Sequence, residues 1–326
     1  MFMKIRELLL DKWGEFDIDN GPPGKLSLSA FSKDQADGKI FIYVFKNEDS
    51  FPSLIVKARK DNDGFNHFDR QYNNLRYLHS TCALRDFARH APRPVFCGAA
   101  SGHFVYSETF FAGEQLKNVT PECLQRKYLY SCVDWLTRLH KATCCRVECT
   151  DEELKKNVFL PEPHIAKIKE CGLSVGLIEE YIYRALRNRN PKPFTFVFYH
   201  GDFTSYNILI KKDNIAIVDW EYSNLKGVPV LDLLNLFAYF GYRKFNGSFY
   251  KSFLYAFSKS GDLSKLCKTS ISRYNNALNI DASLTGLFML RFLLELIFLK
   301  DKQREDIIKL VDLLLKNSIH LNIGYS

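Results

Sequence analysis

Three side chains with oxygen donors follow one another closely in the second half of this sequence. Asp202 and Asn207 are five positions apart, and Asp219 comes twelve residues after Asn207. Carboxylate and amide oxygens are ligands that Mg²⁺ accepts in proteins, and a carboxylate can also take the proton of an attacking hydroxyl group. These residue types in this order indicate phosphoryl transfer, which needs metal ligands, a positive clamp on the phosphates and a base.

Two short apolar segments are expected to position these residues. Residues 208–210 and 215–218 are β-branched runs, and the polar turn between them contains Asn214, which is suited to a positive φ angle. An antiparallel hairpin would bring Asn207, before the first strand, beside Asp219, after the second. The alternative interpretation is an ordinary buried hairpin with acidic ends.

The motifs in this region resemble those of a known enzyme group. His-Gly-Asp at residues 200–202, with Asn207, and Val-Asp-Trp-Glu at residues 218–221 resemble the aminoglycoside phosphotransferase and choline kinase group of small-molecule kinases. The resemblance implies an α+β, bilobal, protein-kinase-like fold with a small antiparallel-sheet N-lobe and a larger, mainly helical C-lobe. We place the nucleotide-binding N-lobe at residues 1–109 and the C-lobe at residues 110–326.

The resemblance also implies a role for each polar residue of the motifs. Asp202 is expected to be the catalytic base, His200 to brace the loop, and Asn207 and Asp219 to bind the metal. Protein serine/threonine kinases usually have a lysine where this chain has Thr204. That difference favours a small-molecule acceptor over a protein substrate.

A lysine in the first part of the chain is expected to hold the nucleotide. Lys57 ends an apolar strand, and its ammonium group suits contact with the α and β phosphates of ATP. In the helix predicted over residues 65–79, Gln71 stands where kinases place a glutamate that pairs with this lysine. A neutral amide cannot stabilise the lysine charge unless Asp69 turns toward it. The alternative for Lys57 is a solvated residue at a strand end.

Two further segments are expected to surround the nucleotide. The hinge between the lobes is predicted near residues 108–111, where backbone groups hold the adenine and where we count Glu108 and Phe110 as nucleotide-binding residues. Core packing explains Phe110 equally well. Residues 32–38 are expected to cover the phosphates, although they contain only Gly38, and a plain hairpin loop is an equal alternative.

The composition favours a globular protein with a small-molecule substrate. Hydrophobic residues make up 46% of the 326 residues and charged residues 25%. The net charge of +8 comes from scattered lysines and arginines, so we expect no nucleic-acid partner. A positive protein disfavours a polycationic acceptor, and classical aminoglycosides are therefore a poorer expectation than a neutral or anionic alcohol.

Cysteine usage and hydropathy indicate a cytoplasmic protein. The nine cysteines are an odd number, which favours reduced thiols in the cytoplasm. His140 and Cys144, Cys145 and Cys149 lack the paired spacing of a zinc site, so we favour free thiols there. Arg291 and Glu295 interrupt the apolar residues 287–299, which we interpret as a core helix rather than a membrane span.

The remaining pattern predicts alternating strands and helices. A helix is expected to begin at residue 230, where Asp232 either fastens the catalytic loop or interacts with the helix dipole. Glu221, Tyr222 and Glu295 are candidates for contact with an acceptor. Strands are predicted at residues 26–31, 40–45, 54–58, 94–97, 104–109 and 194–199, and helices at 124–140, 178–187 and from 249 to the end.

The sequence thus predicts an ATP- and Mg²⁺-dependent kinase that phosphorylates a hydroxyl group of a sugar, amino sugar, amino alcohol or related metabolite. GTP in place of ATP, the acceptor and the oligomeric state are left open. The competing hypothesis is a nucleotide-binding pseudokinase or partner-binding protein without phosphotransfer, which Gln71 favours. A protein kinase is a third hypothesis, and Thr204 weakens it.

Overall fold

The structure is a computed structural model with antiparallel sheets in the first part of the chain and mostly helices in the second. It describes residues 2–11, 13–15, 23–31, 39–47, 49–59, 62–100, 102–120, 122–188, 193–258 and 261–316. Residues 32–38, predicted to cover the phosphates, lie outside the described residues. The strands are β1 Leu26–Phe31, β2 Ile40–Lys46, β3 Leu54–Arg59, β4 Pro94–Ala100, β5 His103–Thr109, β6 Glu114–Gln115, β7 Cys145–Val147, β8 Phe194–Tyr199, β9 Ile208–Lys211, β10 Asn214–Ile217 and β11 Asn224–Gly227.

The helices predicted at residues 65–79, 124–140, 178–187 and from 230 are present, with ends that differ by up to three residues. The helical region predicted from residue 249 is divided into several helices, and the helices at residues 85–88, 151–154 and 162–170 were not predicted. The described helices are α1 Phe2–Asp11, α2 Asn62–Ser80, α3 Arg85–Ala88, α4 Glu122–Thr143, α5 Asp151–Leu154, α6 Glu162–Glu170, α7 Val175–Arg187, α8 Leu231–Phe240, α9 Phe249–Phe257, α10 Asp262–Leu278, α11 Thr285–Leu299 and α12 Arg304–Leu315.

The chain forms two compact units, and one of them is interrupted in sequence. The first unit contains residues 1–114 and 208–224, and the second contains residues 115–207 and 225–326. The segment 208–224 therefore groups with the first unit, whereas the predicted lobes were the continuous ranges 1–109 and 110–326. The assignment of nucleotide binding to one lobe and acceptor binding to the other stays a prediction.

The first unit is built on a five-stranded antiparallel sheet in the order β1-β2-β3-β5-β4. Apolar residues recur at every second position of β2, so one face of that strand is buried, as at Ile42 and Val44. Ile5, Leu9 and Trp13 at the N-terminus belong to the same apolar cluster as these strand residues. The central strand β3, which carries Lys57, is thereby held in a rigid sheet.

The hairpin β9–β10 belongs to this unit and forms as predicted, but with a different turn. Ile208 pairs with Ile217, and the positive φ angles of the turn lie at Lys212 and Asp213 rather than at Asn214. Positive φ at both central positions is typical of a two-residue type I′ turn, and Asn214 is already a strand residue. The backbone N–H of Ile217 donates to the carbonyl of His90 at 2.7 Å, which ties the hairpin to the first unit.

The second unit is mainly helical, and two of its helices are buried on nearly all sides. In α8 every residue from Leu231 to Tyr239 is buried, and α11 is similarly apolar. Among the described residues, the segment 282–299 is long and apolar enough to cross a membrane, and 61% of it is buried inside the protein. A small three-stranded sheet, in the order β11-β8-β7, completes the unit, and β7 pairs with β8 in antiparallel fashion.

Candidate functional site

The predicted catalytic loop begins where β8 ends, and a buried carboxylate in the second unit fastens it. Asp232, in the first turn of α8, accepts hydrogen bonds from the backbone N–H of His200 at 2.6 Å and of Gly201 at 2.9 Å. Gly201 has a φ angle of 87°, which glycine adopts without strain. Charge-assisted hydrogen bonds of this kind are among the stronger ones in proteins, so the loop backbone is rigidly placed.

Asp232 is in turn supported by a chain of buried polar groups. The Nε2 atom of His140 lies 3.5 Å from a carboxylate oxygen of Asp232, and its Nδ1 atom lies 2.6 Å from the hydroxyl of Tyr274. That hydroxyl also accepts the N–H of Val230, whose φ of 73° is strained for a β-branched residue. The sequence indicated Asp232 as a fastening residue but gave no sign of Tyr274.

Within the loop, Asn207 holds Asp202 by two hydrogen bonds. Its Nδ2 atom donates to the backbone carbonyl and to the Oδ2 atom of Asp202, both at 2.9 Å. The backbone N–H of Asp202 donates to Nδ1 of His200 at 3.2 Å, so His200 contacts the loop as a brace would. With its Nδ2 atom committed to Asp202, the amide oxygen of Asn207 is the atom suited to a metal.

A lysine that the sequence analysis did not identify contacts the second oxygen of Asp202. The Nζ atom of Lys300 lies 3.4 Å from Oδ1, and the two side chains are 30% and 18% exposed. Lys300 directly follows α11, and Asp202 is 98 positions earlier in the chain. In the sequence, Lys300 is recognisable only as a charged residue that follows a strongly apolar helix, and this does not indicate a contact with Asp202.

In the first unit, Lys57 is buried between two carboxylates. Its Nζ atom lies 2.8 Å from Oδ1 of Asp219 and 3.5 Å from Oε1 of Glu108. Burial disfavours the ammonium charge, but Asp219 and Glu108 outweigh burial and raise the pKa of Lys57 above its ordinary value. The solvated strand-end alternative for Lys57 is therefore wrong, because its side chain is only 4% exposed.

Glu108, rather than Gln71 or Asp69, provides the buried carboxylate for this lysine. Glu108 accepts hydrogen bonds from the hydroxyl of Tyr106 at 2.6 Å and from Nε2 of Gln71 at 3.1 Å. Gln71 thus orients Glu108 instead of contacting Lys57. The hypothesis that Asp69 turns toward Lys57 has no support, because its carboxylate accepts from Asn73 at 3.0 Å, in an exposed position of α2.

Asp219 itself has an unusual backbone and an accessible side chain. Its φ angle of 65° is in the left-handed region, where aspartate is tolerated better than most residues. Its side chain is 45% exposed, so the carboxylate can contact Lys57 and still face solvent. The segment that follows is held by Asn74, which donates to the carbonyl and the hydroxyl of Ser223 at 2.9 and 3.1 Å.

Three other predicted residues contact partners within their own compact units. Glu221, a candidate for acceptor contact, forms an ion pair with Lys39. Glu295, another such candidate, accepts the hydroxyl of Tyr199 at 2.7 Å and pairs with Arg291. The ring of Phe110 lies edge-on against Tyr43, with centroids 5.8 Å apart. The backbone N–H of Phe110 donates to the carbonyl of Ser53.

Tyr222, the third acceptor candidate, lies with its ring edge-on against His67 in the same unit, at a centroid distance of 6.0 Å.

The described residues contain no group of three or more His, Cys, Asp or Glu side chains that could hold a metal ion. Cys144 is a free thiol. Mg²⁺ keeps several waters and takes further oxygens from phosphates, so its binding does not require such a group.

Comparison with known proteins gives a family and a fold. The model of the phosphotransferase enzyme family matches residues 45–267, which is more than half of the chain. No curated protein sequence matches the chain.

Solved structures resemble the chain along almost its whole length. The crystal structure of choline kinase from Cryptosporidium parvum Iowa II has a TM-score of 0.58 and 16% identity, over 98% of this chain and 95% of that one. A thermostable mutant of aminoglycoside phosphotransferase APH(4)-Ia, in a ternary complex with ADP and hygromycin B, has a TM-score of 0.55 and 12% identity, over 99% and 100%. ADP-bound aminoglycoside phosphotransferase APH(2'')-Ib has a TM-score of 0.54 and 16% identity, over 96% of both chains. At these identities the likeness shows the fold, and the predicted α+β kinase-like class is confirmed.

Proposed function

Because the chain belongs to the phosphotransferase enzyme family, we propose that it transfers the γ-phosphoryl group of ATP to a hydroxyl group of a small molecule. The observation that carries this proposal is the placement of Asp202. Asn207 fixes its side chain through two hydrogen bonds, and Asp232 fastens the backbone of the same loop. A carboxylate held in this way is suited to orient an acceptor hydroxyl and accept its proton.

The transfer is a single exchange of bonds at phosphorus. The acceptor oxygen forms a bond to the γ-phosphorus, the bond from that phosphorus to the β–γ bridging oxygen breaks, and ADP leaves. The acceptor proton goes to Asp202. Little covalent chemistry is asked of the protein, so positioning and electrostatic stabilisation supply most of the rate enhancement.

Asp219 and Asn207 are the residues that we propose as metal ligands. The accessible carboxylate of Asp219 and the amide oxygen of Asn207 are hard donors of the kind that Mg²⁺ takes. When bound there, Mg²⁺ would neutralise charge on the phosphates of the nucleotide. Asp219 also keeps Lys57 charged, and this lysine is our candidate for contact with the α and β phosphates.

ATP is proposed as the donor, with GTP as the alternative. The ADP in two of the similar structures supports a nucleoside triphosphate as substrate. The backbone after Glu108 and the ring of Phe110 are the proposed contacts of the base, as expected from their place at the end of β5. Sugars, amino sugars and amino alcohols remain the candidate acceptors, and no nucleic-acid partner is proposed.

A nucleotide-binding protein without transfer activity is the second candidate, and Gln71 is the observation in its favour. The position that carries a glutamate in kinases has an amide here. Glu108 argues against this candidate, because it gives Lys57 a buried carboxylate that Gln71 helps to orient. We also propose a cytoplasmic location, which the odd number of cysteines, nine, supports.

Replacing the proposed base separates the two candidates. We expect Asp202→Asn to reduce phosphoryl transfer by about 10²–10⁴-fold, the usual contribution of a general base. Binding of Mg²⁺-ADP, measured by calorimetry, is expected to change by less than about threefold because the base does not hold the nucleotide.

The matched control is Asp134→Asn, which removes the same charge from an exposed ion pair with Arg138. Transfer is measured as ADP release with a panel of alcohols and as slow ATP hydrolysis without an acceptor. Equal turnover in Asp202→Asn and Asp134→Asn would reject Asp202 as the base. Absence of ATP turnover in the unaltered protein, with nucleotide binding retained, would favour the second candidate.

A further inference from the structure

The clearest feature next to the proposed base is the ammonium group of Lys300. Its Nζ atom contacts Oδ1 of Asp202 at 3.4 Å, on the oxygen that Asn207 does not use. The backbone of Lys300 is fixed on both sides, because its N–H donates to Leu296 and its carbonyl accepts from Gln303. This lysine therefore reaches Asp202 from a defined position at the end of α11, and 30% of its side chain remains exposed.

A group of tyrosines and one glutamine lies around this pair in the same unit. The hydroxyl of Tyr239 donates to Oε1 of Gln303 at 2.6 Å, and Nε2 of Gln303 donates to the hydroxyl of Tyr242 at 3.0 Å. Burial, and then the charge of Asp202, raises the pKa of Tyr239, so that this residue remains neutral. The ring of Tyr206 lies edge-on against Tyr242, with centroids 6.3 Å apart. These side chains offer neutral hydrogen-bonding groups and aromatic surface.

Three carboxylates on the neighbouring elements already have partners within the second unit. Asp301 pairs with Arg304, and Asp306 accepts the N–H of Tyr250 at 3.0 Å. Glu295 is held by Tyr199 and Arg291, as described above. A cationic acceptor placed at Asp202 would therefore approach Lys300 at close range, where two like charges repel each other.

We propose that the acceptor is an alcohol that also carries an anionic group, a carboxylate or a phosphate, and that Lys300 binds this group. The proposal rests on the proposed function, since it concerns the acceptor of that same site. An acceptor anion draws the ammonium away from Asp202, which leaves Oδ1 open to the acceptor hydroxyl. Binding of the acceptor anion by Lys300 then also frees Asp202 to act as the base.

This arrangement also explains how an acceptor without a negative charge is disfavoured. A neutral alcohol leaves the ammonium on Asp202, so the carboxylate stays a poorer hydrogen-bond acceptor for the hydroxyl. A cationic alcohol would compete with Lys300 for the carboxylate of Asp202, and the two like charges would repel each other. Lys300 is therefore a specificity-determining residue, and its effect depends on the charge of the acceptor.

The test compares acceptors that share one skeleton and differ in charge. Glucose, glucosamine, glucuronate and glucose 6-phosphate form one set, and glycerol, 3-amino-1,2-propanediol and glycerate form another. ADP release is measured with each alcohol for the unaltered protein, for Lys300→Gln and for Lys300→Arg. The matched control is Lys302→Gln, which removes the same charge from an exposed position two residues away.

We expect at least one anionic alcohol to have the highest kcat/KM of its set. Lys300→Gln should lower that value by about 10–100-fold, mainly through KM, which is the usual loss when a charged hydrogen-bond donor is removed. Lys300→Arg should recover part of the loss because it keeps the charge, and Lys302→Gln should have no effect. Turnover of neutral alcohols should rise in Lys300→Gln, because the ammonium group no longer occupies Oδ1 of Asp202.

Three results would overturn the proposal. One is a cationic alcohol as the best acceptor with no loss in Lys300→Gln. Another is an equal fall in kcat for every acceptor and for acceptor-free ATP hydrolysis, which would assign Lys300 to the transferred phosphoryl group. The third is a lack of both turnover and calorimetric binding for every anionic alcohol. ATP hydrolysis that depends on Asp202 distinguishes these results from failure of the proposed function.

Discussion

At the scale of single residues, Lys57 has two carboxylate partners with different surroundings. Asp219 is half exposed and is also the proposed metal ligand, whereas Glu108 is 3% exposed and receives hydrogen bonds from Tyr106 and Gln71. A metal on Asp219 would compete with Lys57 for the same carboxylate. Glu108 would then remain as the counter-charge, so the lysine stays protonated while it contacts phosphates.

The role of Glu108 can be tested by removing its charge. We expect Glu108→Gln to weaken Mg²⁺-ADP binding by about 10-fold or more and to lower the free energy of unfolding by about 3–5 kcal/mol, because a buried ion pair loses one partner. Glu114→Gln, at an exposed position of β6, is the matched control. Calorimetry and urea denaturation provide the two measurements. Unchanged ADP affinity would show that Asp219 alone is sufficient for Lys57.

The candidate site residues near the hairpin could be predicted from sequence. Few residue types can bind a metal or accept a proton, and the adjacent apolar runs predict the strands that flank them. Asp202 and Asn207 are five positions apart, and the structure joins them by hydrogen bonds within one loop. The sequence did not identify Glu108 as a partner of Lys57, or Lys300 as a partner of Asp202. Each reaches its partner through a contact between residues far apart in the chain, and no local pattern records such a contact.

At the scale of elements, α8 and α10 together hold the start of the proposed catalytic loop. Asp232 at the beginning of α8 accepts two loop N–H groups, and Tyr274 of α10 reaches Asp232 through His140 of α4. The strained Val230 directly precedes α8 and is held by the same tyrosine. Three helices therefore fix one loop backbone, which favours a preorganised site.

Strand and helix positions were predictable where the apolar period was regular. β1 and β8 have the predicted bounds, because their alternation is clear and polar residues end them. The hairpin turn was placed correctly, but Lys212 and Asp213 adopt the left-handed conformation that sequence preference assigns to Asn214. The length of the turn, rather than residue preference, decided which positions are left-handed.

The contact between α6 and α11 predicts a dependence of stability on pH. Burial, and then the charge of Arg291, lowers the pKa of His164 from 6.5 to about 4. The unfolded chain takes up this proton at the higher pKa, so stability should fall as the pH is lowered from about 6.5 toward 4. The loss is on the order of 1 kcal/mol after allowance for partial exposure.

His164→Phe keeps the ring contact with Phe298, where the ring centroids are 5.5 Å apart, and removes the titration. The urea midpoint of this variant should therefore change less than that of the unaltered protein between pH 7 and pH 5. An equal change in both proteins would contradict the assignment of this acid sensitivity to His164.

At the scale of the whole molecule, the family match and the fold are established and the acceptor is a proposal. The matched residues 45–267 include parts of both compact units, so the expectation of a phosphotransferase is confirmed. The predicted continuous lobes assumed that neighbours in sequence stay together. The hairpin instead groups with the first unit through contacts such as that of Ile217 with His90, which composition and periodicity do not encode.

The distribution of the cysteines over the molecule predicts their reactivity. Cys82 and Cys123 are exposed, whereas Cys132 and Cys267 are buried, and burial raises the pKa of both buried thiols. With a thiol reagent such as 5,5′-dithiobis(2-nitrobenzoic acid), the exposed pair should react in the native protein and the buried pair only on unfolding. Mass spectrometry of labelled peptides distinguishes the sites. Rapid native labelling of Cys267 would contradict the structure.

Gly227 on β11 limits how this protein can be redesigned. A β-carbon at this position would lie 2.4 Å from the ring of Tyr199, the residue that leads into the catalytic loop. Position 227 therefore admits no side chain unless Tyr199 moves, and a shift of Tyr199 would be passed to the proposed catalytic loop. A directed-evolution library for new acceptors should leave this glycine unchanged.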